Sequence, residues 1–255
     1  MVQSSETLPH TSAREPMQAS GEQVAAVPRD EHAFWEERTR VVLTPYSPPS
    51  IIGLYGFFGA TLMVAAWQAG WYGTADSGFV LFPFAAIFGG VFQGGAAFPA
   101  LRARDGLAAG IHATWGAFWI AFGILFLMGA TGVLKLSKFG EVDTPFAFWF
   151  IVLTMITGAG AAVAFFDNMS VFTVLAFLTV GSGFTAAGWW AGSAGVLAVG
   201  GWLFVLSALA AFYTASGMVA MNALGREVLP LGARHAVPGH PIQYPAGMPG
   251  VKVGQ

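Results

Sequence analysis

Six long apolar stretches, at roughly 51–72, 79–101, 106–133, 145–166, 168–190 and 194–221, constrain this chain more than any other feature. Each is long enough for a helix crossing the membrane's hydrocarbon core, which takes about 20 residues. None holds an Asp, Glu, Lys or Arg clear of its ends. In lipid every backbone N–H and C=O must find a partner within the protein, so stretches of this kind are read as helices. Charged residues make up 9% of the chain, against about 25% in soluble domains. The expected fold is an all-α integral membrane protein, a six-transmembrane-helix bundle.

The joints between the stretches carry the next information. In SPPSIIGLYGFF, residues 47–58, Pro48 and Pro49 stop any helix arriving from the tail, because proline lacks an N–H and fixes φ. Gly53 and Gly56 then bare one side of the new helix. Phe57 and Phe58 add bulk just beyond. This reads either as an ordinary helix start or as a surface for close helix contact. The fourth and fifth stretches are separated only by Asp167 and Asn168, which makes them antiparallel neighbours.

Outside the stretches, residues 1–46 form an N-terminal tail without a continuous apolar run, so no signal peptide is expected. Residues 1–29, rich in Ser, Glu, Ala and Pro, are expected to be disordered. Residues 30–42, DEHAFWEERTRVV, read as an interfacial helix or as a partly ordered linker. Residues 47–232 form the expected six-helix membrane domain, and 233–255 a second loose tail. Arg14, Arg29, Arg38, Arg40, Arg102, Arg104, Arg226, Arg234 and Lys252 fall on one side of a six-span topology. Lys135 and Lys138 fall on the other, offset by Glu141 and Asp143. The positive-inside rule puts both termini in the cytoplasm.

Little in the spans can do covalent or redox chemistry. There is no cysteine, and His112 is the single histidine within a span, so neither a paired-histidine haem site nor a metal cluster is expected. An enzyme is not expected, and neither is a cofactor or a nucleic-acid partner. Small residues dominate instead. In FGGVFQGG, residues 88–95, Gly90 and Gly94 share a face, and Gln93 sits among them. Its amide reads either as a contact for a polar solute or as packing glue. Pro83 and Pro99 are expected to bend this helix or to mark its ends. His112 lies about 9 Å in from Gly106 at 1.5 Å per residue. It reads as a proton relay or an anion attractor at the mouth, or as a histidine that bonds a backbone carbonyl or reaches the headgroups. Trp115 reads as a lumen-facing indole or as a packed aromatic.

Three motifs occur in order around these spans. PPSIIGLYGF, residues 48–57, resembles the pattern NPAPLGLxGF; FGGVFQ, RARD and TWGAFW resemble YGGxxQ, a basic loop and SYGxFW; GREVLPLG, residues 225–232, resembles GRxVLPxG. On these the chain resembles the acetate uptake transporter family, the YaaH-like succinate–acetate permeases, from about residue 48 to 232. It departs from the pattern at Pro48, Ile51, Trp115 and Asn222, where the family has Asn, Pro, Tyr and an acidic residue. The resemblance implies a homo-hexamer with one pathway per subunit in the cell (inner or plasma) membrane. It implies movement of acetate and related carboxylates such as succinate, often with protons. The family's hydrophobic constriction maps to Phe57, Trp115 and Leu178. Gln93, Thr114, Thr179 and Tyr55 are candidate substrate contacts, and His112 a candidate proton relay.

A neutral acid crosses a dry aromatic gate far more cheaply than its anion. That fits spans without a buried carboxylate relay. The competing readings are a channel for a neutral solute such as ammonia or water, and a membrane protein that senses without transporting.

Overall fold

The computed structural model describes residues 47–74, 76–134 and 143–234. The expected interfacial helix at 30–42, the rest of the N-terminal tail, the loop at 135–142 and the tail from 235 lie outside the described residues. Six helices long and apolar enough to cross a membrane occur among those described. They are α1 (Ser50–Gln68), α2 (Ser77–Arg102), α3 (Gly106–Ala130), α4 (Asp143–Asp167), α5 (Met169–Ala191) and α6 (Ala194–Leu224).

Local chemistry sets the ends. Pro49 stands at the N-cap of α1, where a missing N–H costs nothing because the first helical N–H groups have no partner anyway. The helix stops at Gln68, short of the expected 72, because the chain turns at Gly70 with φ +79°. Asp105 caps α3 by accepting from the Ala108 N–H at 3.0 Å. The Asn168 side chain caps α5 by accepting from the N–H groups of Ser170 and Val171, so one residue suffices to turn between α4 and α5.

The helix α2 is not uniform. It is α-helical over Ser77–Ala85, widens to a π-helix over Ala86–Gln93, and returns to α over Ala97–Arg102. Pro83 lies three residues before the wide segment and can donate no backbone bond. Pro99 sits in the last turns.

Pairwise contacts give the directions. Tyr55 near the start of α1 bonds Ser216 near the end of α6 at 3.1 Å, while Gly201 near the start of α6 meets the backbone at Gln68 and Ala69. Gly78 lies on Phe126, and Gly94 on Gly116, so α2 and α3 are antiparallel. Gly160 of α4 lies on Ile111 of α3, Gly158 on Thr179 of α5, and Gly188 of α5 on Leu197 of α6. The described ends at Ser50 and Leu224 therefore share one face. Hydrophobic burial does not drive helices together in lipid, whose tails are as apolar as Leu; close packing does, and these glycines permit it.

Beyond Gly225 (φ +65°) the chain doubles back as a strap. The N–H groups of Met169 and Ser170 donate to Gly232 and Leu231 carbonyls at 3.1 and 3.0 Å, and the Arg234 N–H donates to Asp167 at 2.8 Å. The Glu227 carboxylate accepts from the Leu231 N–H, Leu231 is buried over Gly217, and the Arg234 guanidinium lies 4.4 Å from the Phe165 ring centre. The packed chain thus reaches Arg234, past the expected start of the tail at 233.

Candidate functional site

Phe57 of α1 and Trp115 of α3 meet edge to face, ring centres 6.2 Å apart at 77°. Both are 2% exposed. The indole N–H of Trp115 donates to the Thr157 hydroxyl of α4 at 3.0 Å, a bond wholly buried in the bundle. Phe118 and Phe204 complete the ring of aromatic contacts around the same indole, at 5.4 and 6.2 Å. Leu178 of α5 is 1% exposed and belongs to the same buried apolar cluster.

Above this floor lies a cavity of about 500 Å³. Its walls come from the second halves of α1 and α3, the starts of α4 and α6, and the end of α5, and no charged residue lines it. By the helix directions it opens in the half of the bundle away from Ser50 and Leu224. The wall is largely aromatic: Phe146 meets Trp189 at 5.5 Å, Phe118 meets Phe150 at 5.6 Å, and Phe150 meets Phe204 at 6.1 Å. At the rim Gln68 donates to the Thr185 hydroxyl and to the Leu197 carbonyl, both at 2.9 Å. Such a chamber desolvates whatever enters it, and offers no counter-charge to an ion.

Of the residues named from the sequence, Trp115 lines this cavity and the others do not. His112 is buried one turn before Trp115, its ring laid on the bare backbone of Gly53, where any Cβ would coincide with the imidazole. Its Nδ1 has no hydrogen-bond partner. Gln93, at the end of the π-helical segment, is 1% exposed; its Oε1 has no partner and its backbone N–H packs on Gly56. The Tyr55 hydroxyl is joined to Ser216. The Thr179 hydroxyl donates to the Leu175 carbonyl in its own helix at 2.7 Å. Thr114 is half-buried on α3. Sequence reasoning missed Thr157, Thr61 and Phe204. The signal available for Thr157 was that it is one of two hydroxyls, with Thr154, inside an otherwise apolar stretch. Among the described residues no cluster of His, Asp or Glu could hold a metal.

Six apolar helices among the described residues, five of them walling a charge-free aromatic chamber, define a multi-pass membrane protein. The chain belongs to the GPR1/FUN34/yaaH family, whose profile matches residues 38–225. It is 29% identical over 198 residues to the succinate-acetate/proton symporter SatP of Escherichia coli K12, covering 75% of this chain and 98% of that one. The same figures hold for the SatP of Shigella flexneri. Its fold matches the solved structure of the bacterial acetate channel SatP with a TM-score of 0.67 at 21% identity, over 74% of this chain and 100% of the other. These relatives are transporters and channels, not enzymes.

Proposed function

We propose that this protein carries acetate and related short-chain carboxylates, succinate among them, across the cell membrane, either as the protonated acid or together with a proton. The observation that supports the reading best is the charge-free chamber ending on the Phe57–Trp115 contact. The names of the relatives, a succinate-acetate/proton symporter and an acetate channel, point the same way. Phe57, Trp115 and Leu178 act as the gate. An aliphatic carboxyl has a pKa of about 4.3 in model side chains, so at neutral pH roughly one molecule in several hundred is uncharged. That small fraction can still dominate flux, because the anion would shed its water with nothing to replace it. His112 modulates the coupling to protons. Gln93, Thr114, Thr179 and Tyr55 act on the substrate elsewhere along its path. The transport domain is 47–232, flanked by cytoplasmic tails, and six copies assemble with one pathway each.

The test is uptake of labelled acetate into proteoliposomes with an imposed pH gradient, acidic outside. Saturable uptake that competes with unlabelled short carboxylates is expected. Permeation of ammonia or water without acetate flux would favour the neutral-solute channel, and no flux of any kind a sensor.

A further inference from the structure

The chamber is larger than a small acid needs. At about 30 Å³ for a water-sized group, acetic acid fills on the order of a quarter of the cavity's volume of about 500 Å³. Water is poorly held in the remainder. A buried water needs about two to four polar partners, and ten of the seventeen lining residues are aromatic. The polar groups of the wall are mostly taken already. The Trp67 indole N–H donates to the Thr74 carbonyl at 2.8 Å, and the Trp115 indole N–H to Thr157. Both amide hydrogens of Gln68 are occupied by Thr185 and Leu197. Apolar cavities of about 300–1,000 Å³ with a few polar groups suit ligands well above the size of acetate.

One hydroxyl in the wall is left over. Thr61 lines the chamber and is 3% exposed, yet its Oγ1 has no hydrogen-bond partner. Thr154, Thr179 and Thr214 each donate to the carbonyl one turn back; Thr61 does not. The Trp119 indole N–H is unpaired too, but it lies over Gly89 of α2, a helix that contributes nothing to the wall. We infer that the chamber is a binding site for an uncharged fused-ring aromatic of about the size of indole, whose single polar group pairs with Thr61, and that this occupant blocks the path of the small acid. The transport reading above enters only as what is blocked; the binding itself stands on the cavity. A charged ligand is excluded because no lining residue offers a counter-charge. An aromatic suits the wall because ring faces are negative and ring edges positive. The wall rings already meet in that way, Phe118 with Phe150 at 64° and Phe146 with Trp189 at 55°. A flat ring entering among them finds both faces and edges, and an N–H on it donates to the Thr61 oxygen.

The probes are indole and naphthalene, which share a fused-ring shape and differ in the N–H. Two quantities are read: the Tm of the detergent-solubilised protein with each probe, and exchange of labelled acetate across proteoliposome membranes at equal pH on both sides, so that no pH gradient is involved. Indole is expected to raise Tm and to slow exchange. Thr61→Val keeps the shape of the side chain and removes the hydroxyl. It should raise the indole concentration needed for half-inhibition, and for half the Tm shift, by roughly fivefold, and leave the response to naphthalene unchanged. Val64→Phe, which fills part of the chamber from α1, should abolish the Tm shift with both probes. No Tm shift with indole in the wild type would overturn the site. So would an indole response that is the same in Thr61→Val, or one that survives Val64→Phe in full. Binding with the expected dependence on Thr61 while acetate exchange runs at its full rate would overturn the blocking role. If the Tm shifts follow the expected pattern in a protein that moves no acetate, the transport reading fails and the aromatic site stands.

Discussion

The indole of Trp115 is fixed to α4 by its 3.0 Å bond to Thr157, and this bond, as well as the aromatic contacts, determines where the floor of the chamber lies. The partner sits on a different helix, 42 residues on. Thr157→Val keeps the shape of the side chain and strands the indole N–H. The loss expected is about 1–3 kcal/mol, read as a lower Tm, accompanied by weaker discrimination between acetate and longer acids. Thr157→Ser should restore both. Unaltered stability and selectivity in the valine variant would show that the bond does not hold the gate.

The ring of His112 fills the place a side chain at residue 53 would take. Gly53→Ala is therefore expected to destabilise by about 1–3 kcal/mol through overpacking. His112→Ala, which opens space at that spot, should recover much of the loss in the double variant. The coupling is measured as the difference between the double variant and the sum of the singles. Additive effects would place the imidazole elsewhere.

Shrinking the proposed gate should relax size selection. Leu178→Ala should raise uptake of lactate or succinate relative to acetate, and Trp115→Ala should do so more strongly, at a cost in stability of about 3–5 kcal/mol. Trp115→Tyr, the residue in the related motif, should keep acetate flux. Competition of each acid against labelled acetate, normalised to inserted protein, is the measurement. An unchanged size preference in all three would move the gate off these residues.

If the uncharged acid is the species that crosses, initial uptake at fixed total acetate should fall about tenfold for each pH unit above the acid's pKa. The sign follows from ionisation, since raising the outside pH converts the permeant acid to its anion. His112→Gln, which cannot titrate, should leave that slope in place. A slope that vanishes in this variant while exchange of preloaded acetate survives would make His112 the proton relay itself.

The spans were legible in the sequence to within a few residues, because lipid demands long apolar runs and glycine or a capping side chain marks their ends, as at Gly70 and Asn168. The π-helical run from Ala86 to Gln93 was not legible. It changes which carbonyl each N–H reaches, and hydropathy is blind to that. Phe57, Trp115 and Leu178 came from motif resemblance, whereas Thr157 required knowing that α3 and α4 are neighbours at that depth. Gln93 reads from the sequence as a pathway contact or as packing glue because it is polar among small residues; its position against Gly56 depends on the register of the widened helix, which the sequence does not show.

The strap after Gly225 also bears on the order in which the protein can be completed. The first N–H groups of α5 find their acceptors at Leu231 and Gly232, more than sixty positions later in translation. Until those residues leave the ribosome, the α4–α5 hairpin sits in the bilayer with its turn unlatched. A stop codon just after Leu224 would spare every membrane span and still leave that turn open. Biogenesis should therefore show a late step, after the last span has been inserted, in which the turn becomes resistant to protease only once the final basic segment has docked.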